Sequence, residues 1–573
     1  MKKISVVAAL WLLAFEPGQS VGPVTFVDVT AKSGVRFSHN NGATGKKYLP
    51  ETFGPGCLFL DVDADGWQDI LFVNSTRFAG EPGTAGTPAL YRNKGDGTFV
   101  DITRASGLGV EMYGLGGSAA DYDNDGMIDV FITTLAGGRL FRNTGGGKFT
   151  DVTKAAAIAS SGFTTSAMWF DYDKDGALDL FVGRYVEWSP KTDIYCSQDG
   201  KAKSYCTPES YPGVAPVLYH NRRNGTFEDV SKRAGLSEQT LISIGKPYVL
   251  PRMSKVLGLA MLDFDADGWM DVFVANDTTP NNLFRNKGDG TFTDVAMSAG
   301  VAMPESGVAR AGMGVDAADY DGSGRPSLVI GNFSNEMMSL YHNEGRGLFI
   351  DDAPAAGIGN ASLLMLTFGC FFFDFDLDGQ LDIFAANGHV VDDIEKVQAR
   401  VKYRQPPHLF RNLGKKKFAN VINDVGAELR RAIVARGTAY ADIDHDGDQD
   451  LVLTTNGGPA YLYRNDGGNT NHVLRVVTEG TTSNRSGVGA RVELQLAGGA
   501  KPWQIVKTGS SYLSQSELAL TFGLGAQTSV AGLRVTWPNG KSEVTSAIKA
   551  DHVVTLKEGA GILRTEPIKR GTR

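Results

Sequence analysis

Asp61-Val-Asp-Ala-Asp-Gly-Trp-Gln-Asp69 places aspartate at positions 1, 3, 5 and 9 of a short stretch and glycine at position 6. The pattern returns at Asp121–Asp129, Asp171–Asp179, Asp263–Asp271, Asp374–Asp382 and Asp442–Asp450. A seventh copy, Asp319–Ser327, keeps Asp319 and Asp321 and carries Ser323 and Ser327 in the other two places. Alternating aspartates in a tight turn bring hard oxygens to one point, and glycine supplies the backbone bend. Such carboxylates repel one another unless a cation lies between them. Oxygen ligation without His or Cys favours Ca²⁺ over a transition metal. An EF-hand loop ends on Glu at position 12 between helices, whereas this loop closes at position 9 and runs into β-type sequence, as in Asp69-Ile-Leu-Phe-Val.

The expected ligands are the four aspartates of each loop and the carbonyl of position 7. They are Asp61, Asp63, Asp65 and Asp69 with Trp67; Asp121, Asp123, Asp125 and Asp129 with Met127; and Asp171, Asp173, Asp175 and Asp179 with Ala177. The fourth, sixth and seventh sets are Asp263, Asp265, Asp267 and Asp271 with Trp269; Asp374, Asp376, Asp378 and Asp382 with Gln380; and Asp442, Asp444, Asp446 and Asp450 with Asp448. Six Ca²⁺ sites are expected. The fifth loop in chain order, Asp319, Asp321, Ser323, Arg325 and Ser327, is left open because it has lost two carboxylates. The rings of Trp67 and Trp269 are expected to cover a blade.

Working outward, each loop sits inside a repeat of about 55 residues. A Gly-containing apolar stretch precedes it, an apolar run follows, and a hairpin such as Leu90-Tyr-Arg-Asn-Lys-Gly-Asp-Gly-Thr-Phe-Val-Asp-Ile-Thr103 ends it. The hairpin recurs from Leu140, Leu218, Leu283, Leu340 and Leu409. Runs that barely alternate want both faces buried, which radially packed four-stranded blades provide. The last copy, Leu462-Tyr-Arg-Asn465, lacks its final strand, and a matching one, Phe26-Val-Asp-Val-Thr30, stands before the first loop. This predicts an all-β fold: a seven-bladed β-propeller over residues 23–469, closed by its N-terminal strand. A small β domain over 470–560 and a tail over 561–573 follow.

Seventy-one Gly and 10% aromatics in 573 residues suit a turn-rich β protein. The net charge of −8 is concentrated in the loops, so bound dications would carry it above zero and an acidic ligand stays open. No Lys/Arg run suggests a nucleic-acid surface. Met1-Lys-Lys and the apolar Ile4–Phe15 predict a secretory signal over 1–22, hence a secreted, periplasmic or cell-surface protein. Gly18–Gly22 lacks a clean cleavage site, so an uncleaved anchor is also open; no later stretch could span a membrane.

Cys196 and Cys206 lie in a Gly/Ser/Lys-rich insert with no counterpart in other repeats and are expected to form a disulfide. Cys57 and Cys370 share one repeat position in blades 1 and 6 and are expected to be buried thiols. His220 and His342 occupy the Arg slot of Leu-x-Arg-Asn, a structural place, and His445 is a loop position expected in solvent. Loop-bearing a–b and c–d turns fall at one end of each blade. The long departures at 74–89, 183–217, 232–257 and 387–408 fall at the other. There His39, Glu51, Tyr185, Trp188 and His389 are the candidate ligand contacts. No nucleophile, metalloprotease or phosphate-loop motif is present. Two functions follow: a non-catalytic binding or adhesion module for an extracellular polysaccharide or protein, or a secreted carbohydrate-active enzyme of the polysaccharide-lyase kind.

The Asp loops, with Phe53-Gly54, Gly312-Met-Gly314 and Phe368-Gly369 upstream of three of them, resemble the FG-GAP/VCBS repeats of integrin α-subunit propellers. Asn484-Arg-Ser-Gly-Val-Gly-Ala-Arg491, Gly509-Ser-Ser-Tyr-Leu-Ser-Gln515, Phe522-Gly-Leu-Gly525 and Val535-Thr-Trp-Pro-Asn-Gly540 resemble the ASPIC/UnbV domain. Together they are similar to the cartilage acidic protein 1 family. The resemblance implies a secreted Ca²⁺-binding protein with an adhesive or matrix role and brings no catalytic residues.

Overall fold

A computed structural model describes residues 24–159, 161–197, 200–243, 246–251 and 253–569, so the expected leader over 1–22 lies outside them. Blade 1 is the antiparallel sheet Cys57–Leu60, Asp69–Phe72, Ala89–Asn93 and Phe99–Asp101, in that order from the axis. Five further blades repeat it behind the inner strands Gly114–Ala120, Thr164–Phe170, Val256–Leu262, Gly312–Ala318 and Thr367–Phe373. Blade 7 holds Ala435–Ala441, Asp450–Thr455 and Tyr461–Asp466. Its outer strand is Thr25–Asp28, paired with Phe26 opposite Asn465. Each inner strand contacts the next, and that of blade 7 contacts that of blade 1, so the ring is closed. The inner and second strands are buried on both faces between neighbouring blades, which is why their sequences do not alternate.

One side chain per blade joins it to its predecessor. The Asn of Leu-x-x-Asn donates its Nδ2–H to the carbonyl of loop position 2 in the preceding blade: Asn143 to Val62, Asn221 to Tyr122, Asn286 to Tyr172, Asn343 to Phe264, Asn412 to Tyr320 and Asn465 to Phe375, at 2.8–2.9 Å. Asn93 reaches Ile443 of blade 7 at 2.9 Å and closes the circuit. Six of these asparagines also donate, more weakly, to the carbonyl of position 8 in their own loop, as Asn143 does to Ile128 at 3.2 Å.

The C-terminal domain has two four-stranded sheets. One is Leu520–Gly525, His472–Glu479, His552–Lys557 and Gly561–Pro567; the other is Trp503–Ile505, Arg491–Gln495, Gly532–Thr536 and Ser542–Val544. The tail expected from residue 561 is corrected here: Gly561–Pro567 pairs along His552–Lys557 as an edge strand. The domain's own core, including Leu474, Val492 and Trp537, runs into that of blades 2 to 4.

Between Ile505 and Leu520 the domain sends a segment down the propeller axis. Ser511 and Val315 exchange backbone hydrogen bonds at 2.7 and 3.1 Å, and Gln515 N–H donates to Cys57 O at 3.0 Å. The Gln515 carboxamide also bonds Ser118 Oγ and the backbone of Ala119, each at 2.9 Å. Thr508 meets Trp169 and Ser511 Oγ meets Thr438 O, so inner strands of blades 1, 2, 3, 5 and 7 are all engaged. Glycine makes room for this plug. A Cβ on Gly56 would lie 1.8 Å from Leu513 O, one on Gly116 2.7 Å from Leu513 Cβ, and one on Gly437 2.5 Å from Ser514 Oγ.

Asn143→Ala would strand the buried carbonyl of Val62 and free the half-buried one of Ile128, at a cost of about 1–3 kcal/mol for a buried unsatisfied group. Urea denaturation should report a loss in that range, while Thr144→Ala at the exposed neighbour should stay within about 0.5 kcal/mol of the native chain. Equal effects at the two positions would contradict the interblade role.

Candidate metal centres

The loops share one construction. Position 4 is left-handed, with φ between 54° and 60° at Ala64, Asn124, Lys174, Ala266, Leu377 and His445, and the position 6 glycines are also at positive φ. This coil turns four carboxylates inward. In the first loop Asp61 accepts the N–H groups of Asp65 at 3.1 Å and Gly66 at 2.8 Å, and Asp65 accepts that of Trp67 at 2.9 Å. Asp69, fully buried, accepts from Val62 N at 2.9 Å and from Asn93 N at 2.7 Å. Position 9 thus joins the loop to the strand whose asparagine reaches the preceding blade.

Position 3 is the exception. Its Oδ2 faces the Arg slot of Leu-x-Arg-Asn, as in Arg285–Asp265 at 2.6 Å and Arg411–Asp376 at 2.7 Å, with His220–Asp173 at 3.4 Å. Its Oδ1 is buried without any hydrogen-bond partner in six loops, at Asp63, Asp123, Asp173, Asp265, Asp376 and Asp444. Asp61, Asp63 and Asp69, and likewise Asp121, Asp123 and Asp129, each present oxygens within 4.8 Å of one another. Burial raises the carboxyls at positions 1 and 9: Asp121 and Asp263 to about 6, Asp69 and Asp171 to about 7, Asp129 and Asp179 to about 8. Converging buried oxygens with an unpaired member fit a hard cation. Asp448 adds a fully buried fifth carboxylate to the seventh loop, again with Oδ1 unpaired.

The loop at Asp319–Ser327 differs in charge as well as in ligand number. His342 is buried between Asp321 at 2.8 Å and Glu344 at 2.7 Å, and Lys416 lies 2.9 Å from its ring nitrogen. Burial pushes the Asp321 carboxyl up, but hydrogen bonds from Ser323 and His342 outweigh it and leave the group below its ordinary value. Asp321 has no unpaired buried oxygen, and Ser327 Oγ takes the Asn343 N–H that position 9 takes elsewhere. Hydrogen bonds from the protein itself, from Ser323 and His342, thus satisfy Asp321 in this loop.

Trp67 stacks on His445 of the seventh loop at 3.7 Å, and Lys174 of the third loop lies 4.0 Å over Trp269, so both rings join neighbouring loops. His445, expected in solvent, is half-buried by this stack.

The C-terminal domain sits on the loop end. Arg485 N donates to Asn124 at 2.7 Å, Asn471 to Asp376 O at 2.8 Å and Gly525 N to Leu377 O at 3.0 Å. Arg475, 4% exposed, bridges Asp442 of the seventh loop and Glu517 of the plug. A Cys196–Cys206 disulfide clamps the blade 3 insert at the opposite end, and Cys57 and Cys370 are buried free thiols.

At that opposite end the chain brings the sequence-selected residues close to one aromatic cluster, but not to its surface. His39 is 5%, Glu51 1%, Tyr185 1% and His389 1% exposed. His39 bonds Ser75 at 3.3 Å and Gly457 N at 3.0 Å; His389 bonds Ser334 at 3.4 Å and Val391 N at 3.0 Å. Glu51 accepts from Tyr205 at 3.0 Å, and the Tyr185 hydroxyl bonds Asp277 at 2.5 Å. Burial, the largest cause, lowers His39 to about 3 and His389 to about 4. These four hold connections in place, and Trp188 alone is partly exposed. Polar loop residues were legible as such, but their inward direction depends on packing between distant connections. The plug and the interblade asparagines escaped the reading by sequence. Their traces were an uncharged Ser/Tyr/Gln run between strands and a polar residue repeated in a buried slot.

Residues 480–563 match the ASPIC and UnbV family, and residues 61–132, 121–182 and 263–330 match the FG-GAP-like repeat. The chain is an FG-GAP-repeat protein with an ASPIC/UnbV domain. It resembles cartilage acidic protein 1 of Homo sapiens, 31% identical over 281 residues covering 47% of this chain and 39% of that protein. The Mus musculus protein is 29% identical over 296 residues, 50% of this chain and 42% of that one. The match therefore spans about two fifths of the relatives' own length. Among solved structures, an Agrocybe aegerita lectin recognising non-reducing terminal N-acetylglucosamine aligns over 71% of this chain and 86% of its own, with TM-score 0.36 and 17% identity. A Bacillus licheniformis rhamnogalacturonan lyase aligns over 72% and 71%, with TM-score 0.33 and 14% identity.

The raised carboxyls set a pH dependence. Folded values near 6–8 against about 3.9 in the unfolded chain stabilise the cation-free fold fully below pH 4, and this contribution is lost as pH rises through 6–8. In EDTA the melting temperature should fall between pH 5 and 8, and saturating divalent cation should remove that fall. Asp265→Ala should reduce the rise given by cation, whereas Asp321→Ala should leave it nearly intact. A pH-independent melting temperature in EDTA, or equal effects of the two substitutions, would contradict the assignment.

Proposed function

We propose that the chain is an exported, Ca²⁺-dependent, non-catalytic binding protein whose extracellular polysaccharide or protein ligand meets the end opposite the Asp loops. The carrying observation is the seating of the C-terminal domain. It covers the loop end across blades 2, 3, 6 and 7 and fills the axis, which leaves one broad end of the ring open. The long connections converge there around Tyr48, Phe53, Phe78, Tyr113, Tyr185 and Tyr512.

Ca²⁺ is supported by oxygen-only donor sets with a buried unpaired Oδ1 in six loops, and the protein-compensated loop at Asp319 is left without an ion. Each bound ion stabilises the fold by RT ln(1 + [L]/Kd), so the ions serve the scaffold rather than the ligand. Export is supported by the disulfide and by the likeness to a cartilage protein. Among the described residues no helix is long and apolar enough to cross a membrane.

Because the two free thiols are buried, a cysteine introduced at the surface can be biotinylated selectively. Thr84→Cys marks the open end and Lys541→Cys the C-terminal domain, both at exposed positions. Streptavidin on the first should abolish capture by a panel of immobilised polysaccharides and matrix proteins, and streptavidin on the second should not. The reverse pattern would place the ligand on the other side.

A further inference from the structure

The blade 3 insert builds a cleft of about 630 Å³ at the open end, lined by Phe163, Arg184, Val186, Glu187, Trp188 and Tyr211 among others. Other blades have no counterpart, because the segment that shapes it is the one clamped by Cys196–Cys206. Its groups are fixed from behind. Trp188 donates its Nε1–H to Asp193 at 3.0 Å, and its ring packs edge-on against Tyr48 and Phe78 at 5.5 and 5.8 Å. Asp193 is also held by Lys203 at 2.5 Å and by Tyr211 at 3.4 Å, so its charge is answered within the protein.

Arg184 is half-buried and donates Nε–H to Ala215 O at 2.6 Å. Its two Nη groups make no hydrogen bond and no close ion pair among the described residues, and Asp229 and Tyr219 are its electrostatic partners within blade 3. A guanidinium pinned at Nε keeps its outer edge for a planar anion, which it takes in bidentate fashion. Arg184 and Trp188 are at most about 13 Å apart along the chain, a span suited to a short oligomer. The backbone here is already paired: Val186 bridges Gly213, and Glu187 N donates to Pro212 O at 3.0 Å. A peptide strand has no free edge to extend. Aromatic surface, hydroxyls such as Ser161 and Ser210 and the free Nη edge of Arg184 instead suit a ring-shaped, hydroxylated, acidic unit whose carboxylate lies on Arg184 and away from Glu187, the carboxylate that also lines the cleft.

We propose that this cleft is a subsite for a carboxylated saccharide, with the carboxylate on Arg184 and a sugar ring against Trp188. The proposal rests on the open end being the ligand face and adds the ligand's chemical class.

Calorimetry on the full, Ca²⁺-loaded chain with trigalacturonate and its carboxyl-reduced counterpart tests it. The charged trimer should bind at least tenfold more tightly. Arg184→Gln should erase that difference, and Trp188→Ala should weaken both probes at least tenfold with the melting temperature unchanged. Equal affinity for the two probes, retained discrimination in Arg184→Gln, or no binding of either probe overturns the saccharide assignment. A Trp188→Ala variant that fails to fold leaves the Arg184 arm decisive. The streptavidin experiment reports separately on the face, since a protein ligand would still be blocked there.

Discussion

Each blade reaches its predecessor through one asparagine amide, and the carbonyl it meets belongs to the preceding Asp loop. That hydrogen bond makes the loop part of an interface, because position 2 faces the next blade while positions 1, 3, 5 and 9 of the same nine residues gather the carboxylates. Position 9 binds the backbone N–H of its own blade's asparagine, so carboxylate, asparagine and neighbouring loop form one chain of contacts around the ring. Anything that lets the carboxylates spread would loosen both joints. A cation between them would remove the repulsion at the place where blades meet.

The axis adds a second constraint. Inner strands of a propeller cannot fill their own centre, and the C-terminal domain supplies the missing side chains through residues 508–517. Of the glycines in the FG signature, Gly314 and Gly369 are positions where a Cβ would press on Ser511, whereas Gly54 faces Arg436; Gly56, Gly116 and Gly437, outside the signature, face Leu513 and Ser514. Arg475 ties this plug to the seventh loop through Asp442 and Glu517. Ring, loops and domain are therefore one folding problem. A buried cation between two buried carboxylates also makes the junction specific, since losing any one of the three leaves an unmatched charge.

Much of this was legible because it repeats. Asp69, Asn93 and Phe99 recur in fixed order, and a missing strand at one end with its match at the other closes the ring without any tertiary information. The disulfide and the two buried thiols followed from the same comparison of repeats. What failed was anything set by contacts between elements that do not repeat. His39, Glu51, Tyr185 and His389 lie in the right connections, yet each turns inward to hold a neighbouring connection. The edge strand Gly561–Pro567 has exposed residues nearly throughout, so no hydrophobic alternation announced it. His342 replaces an arginine with a group that, buried with Lys416, changes the charge balance of its loop, which neither residue reveals alone.

Metal content measures the central claim most directly. After exhaustive dialysis against Ca²⁺-containing buffer and removal of free ion, elemental analysis of the intact chain should give six calcium ions per protein. Asp265→Ala should give five and Asp321→Ala still six. No retained calcium, or seven ions falling to six in Asp321→Ala, would contradict the account.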